Sequence, residues 1–293
     1  MTRISGAFTA RLSEVTALPT SVIDQYWQEG YYVARGCVDP SAIDAFMTDL
    51  YGALAYHLCW LGLALDDTGG TAALHENLAT LHRHDQDRYL AMLRVFGHAK
   101  TLYDVLLTDT IADTCRALGV EQPMLHTTPI FHLMSDRLRI AGGYHGFDAH
   151  QDWTALQTSI NAVAVWLPFH DVDRACFPLE VLPRSHTRGL LPGVVTNNEY
   201  IIDSSCVDDS QFLPVEMAKG DVAFMTMFTV HRTGKSSGDR LRVAASWRYE
   251  DAVERSLIER GYPLAQSRVV RHEMFFPGFP DARWMQGIRA RLR

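Results

Sequence analysis

The feature that most constrains the fold is a change in sequence pattern at Gln122-Pro123. Before it, from about residue 19 to residue 120, apolar residues recur with the spacing of amphipathic helices. After it come short runs of Val, Ile, Thr, Phe and Trp, separated by Gly, Pro, Asn, Asp and Ser. The clearest predicted strands cover residues 124–134, 159–168, 179–182, 221–226 and 241–249. Many short strands without helices between them indicate a sandwich, a jelly roll or a barrel.

The predicted elements fit a single domain over residues 1–293. Helices are predicted at residues 21–27, 39–54, 73–97, 100–118 and 253–260, with a short strand at residues 31–36. This gives a helical N-terminal layer at about 19–120, a β core at about 122–250 and a C-terminal extension at 251–293. The predicted fold class is therefore mainly β with a helical N-terminal layer, α+β overall.

Composition excludes several classes of partner. The formal net charge is -7, and without a Lys/Arg cluster it offers no electrostatic surface for nucleic acid or for an anionic membrane. Five scattered cysteines without a CxxC motif indicate reduced thiols, not a disulfide or zinc framework. The first residues lack the apolar segment of a signal peptide, and the longest apolar stretch, near residues 58–65, is too short to span a bilayer. We expect a soluble, cytoplasmic protein with a small-molecule substrate; composition leaves the oligomeric state open.

A possible metal site lies directly after a glycine-marked turn. His150 and Asp152 form the only His-x-Asp or His-x-Glu in a chain with 13 histidines. Two side chains one residue apart on a strand point to the same face, so an imidazole and a carboxylate would lie side by side. These are two members of the two-histidine, one-carboxylate triad that holds non-haem iron. His231, which follows the predicted strand 221–226, is the candidate for the third ligand.

Two arginines follow His231 on the next predicted strand. A planar guanidinium is the natural bidentate partner for a carboxylate at the far end of a bound acid. Arg240 and Arg242 would share one face of that strand, so spacing alone does not decide between them.

Five segments together resemble a known family. They are His150-Gln151-Asp152, residues 162–168, residues 178–186, His231 and Arg242. Their order and spacing over about residues 124–249 are similar to the phytanoyl-CoA dioxygenase-like branch of the Fe(II)/2-oxoglutarate dioxygenases. The resemblance implies a double-stranded β-helix (jelly roll) core behind N-terminal helices, with Fe(II), 2-oxoglutarate and O2 as cofactors. The sequence departs from the family pattern at residues 174–177, the turn before the Pro-Leu-Glu run.

The resemblance also implies roles for individual residues. It makes His150, Asp152 and His231 the metal ligands and selects Arg242 over Arg240 as the anchor of 2-oxoglutarate. It also places Thr233 and Trp166 near 2-oxoglutarate. Two further candidates come from their positions: Phe147, three residues before His150, and His132, on a strand expected to line the barrel, which is alternatively a hydrogen-bonded barrel histidine. Because Asp152 supplies a carboxylate, no ligand position is left for chloride, which disfavours a halogenase.

Substrate residues are less constrained by the sequence. Trp153, Gln157 and Gln151 are candidates for the mouth of the pocket, and Trp247 is a candidate for either substrate contact or barrel core. Polar side chains beside a Trp suit a sugar ring, so hydroxylation of a carbohydrate or a sugar-containing natural product, with release of succinate and CO2, is the favoured function. An acyl-CoA or amino-acid-type substrate is the alternative. A catalytically silent jelly-roll binding protein is the alternative from another class.

Other histidines are expected to be structural. His82 and His84 are two residues apart on a predicted helix, so they would not converge on one ion. His186 ends a turn that the resemblance makes structural, although its position also allows a ligand role.

Overall fold

The helical N-terminal layer and the strand-rich core are both present in the computed structural model, which describes residues 18–126, 128–140, 145–196 and 199–262. Residues 1–17 and most of the predicted C-terminal extension, residues 263–293, lie outside the described residues. The α-helices, in chain order, are α1 Thr20–Glu29, α2 Pro40–Trp60, α3 Gly70–His84, α4 Gln86–Phe96, α5 Lys100–Leu106, α6 Asp109–Ala117, α7 Asp152–Leu156 and α8 Arg255–Glu259.

The two longest predicted helices, at 73–97 and 100–118, are each divided in two. Asp85 adopts an extended conformation, and its carboxylate accepts a hydrogen bond from the backbone N–H of Arg88. Thr108 caps α6 in the same way, with its hydroxyl accepting from the N–H of Ile111. Asp and Thr are preferred N-caps because their oxygens satisfy the free N–H groups of a first helical turn. The predicted continuous helices were therefore wrong at these two positions.

In the described part of the chain, eleven strands form three sheets. Their bounds are β1 Tyr31–Ala34, β2 Pro123–Leu125, β3 Ile130–Met134, β4 Val163–Pro168, β5 Leu179–Val181, β6 Gly193–Thr196, β7 Glu199–Ile202, β8 Leu213–Val215, β9 Val222–Thr226, β10 His231–Thr233 and β11 Arg242–Asp251. The large sheet has the order β1-β9-β4-β11-β2, with β3 also paired to β11. The small sheet has the order β10-β5-β8, and β6 pairs with β7. All pairings are antiparallel, as a jelly roll requires.

The two faces of the large sheet contribute side chains to two different hydrophobic clusters. One face packs against the helical layer, with Val165, Phe224 and Trp247 in the same buried cluster as Phe46 of α2. The other face looks toward the small sheet, and Trp166 of β4 lies in a second cluster with residues of β5 and β8. The side chains alternate because successive residues of a strand point to opposite faces. The large sheet is thus the middle layer between the helices and the small sheet.

The end of α1 connects the helical layer to the far end of β9. Gly30 closes the helix at φ 86°, in the left-handed region, and its carbonyl accepts hydrogen bonds from the N–H of Thr226 and the hydroxyl of Thr229. A Cβ at this position would lie 2.4 Å from Nδ1 of His186. Glycine is therefore required here both by conformation and by space.

None of the helices in the described part of the chain is both long enough and apolar enough to cross a membrane.

Candidate metal centre and cavity

His150 and His231 face each other across an antiparallel backbone bridge. The N–H of His150 donates to the carbonyl of His231 at 3.0 Å, and the N–H of His231 donates back at 3.1 Å. Directly opposed residues on antiparallel segments place their side chains next to each other on one face. The two imidazole ring centres are accordingly 4.2 Å apart. The spacing of these two ligands is therefore set by main-chain hydrogen bonds.

Each imidazole is oriented by a carbonyl two residues earlier in the chain. Nδ1 of His150 lies 2.7 Å from the carbonyl oxygen of Asp148, and Nδ1 of His231 lies 3.0 Å from that of Thr229. A carbonyl oxygen can only accept, so both Nδ1 atoms carry the proton. Both Nε2 atoms then keep a lone pair free for a metal, the usual arrangement of ligating histidines.

Asp152 reaches the site from a helix. The prediction that His150 and Asp152 share a strand was wrong, because Asp152 is the first residue of α7, with Gln151 as its N-cap. The N–H of Trp153 donates to the carbonyl of Met227, which fixes the start of α7 next to the loop before β10. The carboxylate still meets both imidazoles: Oδ1 is 3.7 Å from Nε2 of His150, and Oδ2 is 3.9 Å from Nε2 of His231.

The ligand atoms fit one metal ion. Among the residues that the structure describes, His150, Asp152 and His231 are the only group of three or more His, Cys, Asp or Glu side chains that could hold one, with ligand atoms within 4.8 Å of one another. Two imidazole nitrogens and one carboxylate grouped in this way form the donor set of non-haem Fe(II) sites. The prediction of these three residues as metal ligands agrees with this geometry.

The charge states of the ligands suit metal binding. Burial, together with the nearby His231, lowers the pKa of His150 to about 3, so the ring is neutral. Burial by itself would raise the pKa of Asp152, but the Arg248 guanidinium and the two imidazoles more than offset it and hold the pKa well below its usual value. At neutral pH the site therefore presents a neutral His150 imidazole and an ionised Asp152 carboxylate, the forms that bind a metal.

Arg248 of β11 donates hydrogen bonds to both oxygens of the Asp152 carboxylate. Its Nη2 donates to Oδ1 at 2.7 Å and to Oδ2 at 2.9 Å, and its Nε donates to Oδ2 at 3.0 Å. Both side chains are buried, 7% and 6% exposed. Burial of a carboxylate costs desolvation free energy, and the paired N–H donors of an arginine guanidinium offset that cost.

A cavity extends from the two imidazoles into the space between the sheets. It contains about 430 Å³ of space not filled by protein atoms, part of it open to solvent. His150 and His231 form one wall, and the remaining walls include His132, Phe147, Trp166, Thr233, Arg242 and Ser246. All of the residues predicted to surround 2-oxoglutarate therefore line the same cavity as the two imidazoles.

Arg242 supplies positive charge to this cavity, whereas Arg240 does not. Arg242 is 2% exposed; it donates to the carbonyl of Phe177, and its guanidinium lies 5.6 Å from the ring centre of Trp166. Arg240 forms an exposed ion pair with Asp173 instead. Phe177 adopts φ 44°, in the left-handed region, within the turn at 174–177 that departs from the family pattern. That turn supplies the carbonyl that contacts Arg242.

Two hydrogen bonds join Thr233 and Phe147 in the cavity wall. The N–H of Phe147 donates to the Thr233 hydroxyl at 3.1 Å, and the N–H of Thr233 donates to the Phe147 carbonyl at 2.9 Å. His132 lies on the neighbouring wall, with its Nε2 2.9 Å from the hydroxyl of Ser246. Burial, followed by the charges of Arg242 and Arg248, holds the pKa of His132 well below its usual value, so its ring is neutral.

Two residues proposed for the substrate are used elsewhere. Gln151 is 1% exposed; its amide donates to the carbonyls of Gly189 and Phe228, and its side-chain oxygen accepts from the N–H of Leu191. Trp247 lies in the core between the large sheet and the helices, on the opposite strand face from Arg242 and Ser246. Neither side chain lines the cavity, and Trp247 has the barrel-core placement that was its alternative.

Trp153 and Gln157 lie outside the walls of the cavity, on α7 and directly after it. The half-buried ring of Trp153 stacks on Phe228 with 5.8 Å between ring centres, and the Arg260 guanidinium lies 5.5 Å from its ring centre. Gln157 is exposed at φ 46°, and its carbonyl accepts from Arg260 at 2.7 Å. Substrate contact by these two residues stays a prediction.

His186 is not part of the metal centre. Its Nε2 donates to the carbonyl of Trp27 at 2.8 Å, next to Gly30, which is the structural placement favoured above.

Sequence reasoning missed Arg248 and Ser246. The signal was present, because Arg242, Ala244, Ser246 and Arg248 are alternate residues of one predicted strand and must share a face. The same alternation places Trp247 on the other face.

The model of the phytanoyl-CoA dioxygenase (PhyH) family matches residues 26–244. The chain belongs to the phytanoyl-CoA dioxygenase family. The predicted jelly-roll fold is confirmed, and the predicted cofactors Fe(II), 2-oxoglutarate and O2 agree with this family and with the triad geometry. A search of curated protein sequences gives no match.

Solved structures with the same fold are distant in sequence. The epimerase SnoN in complex with Fe3+, alpha ketoglutarate and nogalamycin RO is 16% identical, with a TM-score of 0.55 over 86% of this dioxygenase-family chain and 93% of its own. The carbocyclase SnoK from nogalamycin biosynthesis is 17% identical, with a TM-score of 0.53 over 88% and 94%. AviO1 from Streptomyces viridochromogenes Tue57 is 19% identical, with a TM-score of 0.51 over 82% and 97%. At these identities the likeness establishes the fold.

Proposed function

We propose that this protein is an Fe(II)/2-oxoglutarate-dependent oxygenase that hydroxylates a C–H bond of a small polar molecule. The observation that carries the proposal is the convergence of His150, Asp152 and His231 beside a cavity that Arg242 also lines. A catalytically silent binding protein has no need of two imidazoles held with their Nε2 atoms free next to an ionised carboxylate.

The residues of the chain divide the work. His150, Asp152 and His231 would hold Fe(II), which couples the conversion of O2 and 2-oxoglutarate into succinate and CO2 to the insertion of one oxygen atom into a substrate C–H bond. Arg242 would pair with the distal carboxylate of 2-oxoglutarate, with Thr233 close by on the same wall. Trp166 and Phe147 provide apolar surface that excludes water around the reacting groups.

We propose a carbohydrate or a sugar-containing natural product as the substrate, in preference to an acyl-CoA or an amino acid. Support for a natural product comes from SnoN and SnoK, an epimerase and a carbocyclase from nogalamycin biosynthesis with the same fold. Those two activities also give alternatives for the outcome of the reaction: inversion of a carbon centre or closure of a ring. Hydroxylation is the outcome we propose.

The metal and co-substrate sites are tested without any substrate. Fe(II) and 2-oxoglutarate added without oxygen should give a weak visible charge-transfer band, because the co-substrate chelates iron held by the triad. His150→Ala and Asp152→Ala should abolish the band. The matched control is His84→Ala, an exposed histidine at the end of α3. A colourless wild-type mixture would overturn the proposed function.

The substrate and the outcome are tested by turnover. Succinate formation should rise above the uncoupled rate with glycosylated natural products or sugars, and not with acyl-CoAs or amino acids. Mass spectrometry of the product then separates the three outcomes: one added oxygen atom for hydroxylation, an unchanged mass for inversion, and the loss of two hydrogens for ring closure. A response to acyl-CoAs or amino acids alone would contradict the proposed substrate class.

A further inference from the structure

Arg248 is the one cation that contacts a metal ligand directly within the described part of the chain, and the triad chemistry does not by itself require it. Its guanidinium donates to both oxygens of Asp152, at distances of 2.7 to 3.0 Å. Arg242, six residues earlier on the same strand face, contacts the Phe177 carbonyl instead. Two arginines of one strand face therefore have different partners.

The hydrogen bonds from Arg248 limit how the Asp152 carboxylate can bind a metal. Each carboxylate oxygen lies near a different imidazole, Oδ1 near His150 and Oδ2 near His231. Without another partner, both oxygens could turn to one ion and occupy two of its positions. Arg248 holds the plane of the carboxylate and competes for its oxygens, because a guanidinium fork matches the two oxygens of a carboxylate.

The guanidinium is itself held in place by neutral groups. Nη1 of Arg248 donates to the Ser246 hydroxyl at 3.0 Å, and that hydroxyl lies 2.9 Å from Nε2 of His132. The chain of contacts from His132 through Ser246 and Arg248 to Asp152 is buried at every member. Side chains locked in this way by outer hydrogen bonds fix the orientation of a ligand before the metal arrives.

We propose that Arg248 is a positioning residue for the metal: by donating to both oxygens it holds the Asp152 carboxylate facing the two imidazoles and keeps it from turning both oxygens to one ion, so that Asp152 ligates through a single oxygen. This inference rests on the proposed function. Ligation through a single oxygen would leave more positions of the metal open for 2-oxoglutarate and O2. A second oxygen from Asp152 would take one of these positions.

The test measures metal affinity without 2-oxoglutarate or substrate, using Co(II) as the probe in calorimetric titration. Arg248→Met and Arg248→Lys should each bind Co(II) about 10- to 100-fold more weakly than the wild type, the usual cost of losing an outer hydrogen-bond partner of a ligand. Lysine keeps the positive charge but cannot form the fork. Ser246→Ala should shift the affinity in the same direction by a smaller factor.

The matched control is Arg242→Met, a second buried arginine of the same strand face. It should leave Co(II) affinity unchanged and lower only the affinity for 2-oxoglutarate. Circular dichroism and thermal unfolding of the metal-free proteins show which variants are folded; if Arg248→Met is not, Arg248→Lys carries the comparison. A crystal structure of the Co(II) wild type should show Asp152 bound through one oxygen.

Three results would overturn the inference. They are unchanged Co(II) affinity in a folded Arg248 variant, an effect of Arg248 on 2-oxoglutarate affinity alone, and a wild-type Asp152 bound through both oxygens. A wild-type protein that does not bind Co(II) at all would instead contradict the proposed function, so the two failures are distinguishable.

Discussion

The two faces of strand β11 show how one segment serves stability and chemistry separately. Val243, Ala245 and Trp247 point toward the helices and are completely buried among apolar side chains. Arg242 and Arg248 on the other face are nearly as buried, but each contacts an oxygen of another segment. The comparison teaches that burial alone does not identify a core residue, since a buried cation needs a partner and an apolar side chain needs only close packing.

The largest effect on stability is expected on the apolar face. Trp247→Ala should lower the free energy of unfolding by about 3–5 kcal/mol, because it leaves a cavity between the sheet and the helices. Urea denaturation followed by fluorescence or circular dichroism measures this loss. A cost below about 0.5 kcal/mol, the range of ordinary surface substitutions, would show that the two faces do not differ in this way.

Arg242→Met should act mainly on binding. Loss of the guanidinium removes the partner of the distal carboxylate, so the affinity of the iron-loaded protein for 2-oxoglutarate should fall about 100-fold, the typical cost of truncating a buried charge pair. Calorimetric titration without oxygen measures the change. Affinity retained at the wild-type level would refute the assignment of Arg242 as the anchor.

An ion pair at the edge of the large sheet should affect stability as a function of pH. Asp221 accepts hydrogen bonds from Arg35 and from the N–H groups of Gly36 and Ala218. Burial would raise its pKa, but these bonds outweigh it and lower the pKa below the usual value. A carboxylate with a lowered folded-state pKa stabilises the protein above its unfolded-state pKa, and this stabilisation is lost as the pH falls through the folded-state pKa.

Asp221→Asn should therefore cost about 1.5–3 kcal/mol at neutral pH, the range for hydrogen bonds to a charged group. Its deficit relative to the wild type should shrink as the pH is lowered from about 5 toward 3. Denaturation midpoints of both proteins across this range measure the difference. A deficit that does not change with pH would mean that the charge of Asp221 does not stabilise the fold.

The smallest effect is expected at Arg240. Its ion pair with Asp173 is exposed, with side chains 39% and 49% accessible. Arg240→Met should change the free energy of unfolding by less than about 1 kcal/mol and leave 2-oxoglutarate affinity unchanged, because exposed ion pairs contribute little. It is the charge-matched control for Arg242→Met, and a loss of affinity similar to that of Arg242→Met would remove the distinction between the two arginines.

Much of the fold could be predicted because periodicity is a local property of the sequence. The alternation in residues 241–249 and 159–168 corresponds to β11 and β4, and Pro40 marks the first turn of α2. Helix ends were less predictable. Asp85 and Thr108 each cap a new helix while the apolar pattern continues through them, so the pattern does not show that one helix has ended.

The residues of the metal centre could be predicted from their spacing in the sequence. The secondary structure that carries Asp152 could not. Asp152 lies on a helix because Gln151 is fixed by backbone groups of distant loops, which no local pattern reports. Arg248 could have been found by continuing the alternation from Arg242. Its partner Asp152 could not, because that contact joins residues far apart in the chain.

The backbone bridge between His150 and His231 has a consequence for how the protein moves. The two amide protons of that bridge belong to the same residues as the two imidazoles. An ion held by both imidazoles would therefore cross-link the two segments at the place where they are hydrogen-bonded. Local separation of the two segments would then require release of the metal. The hydrogen-exchange rates of these two amides should therefore report occupancy of the site, slowing when metal binds even in the absence of 2-oxoglutarate and substrate.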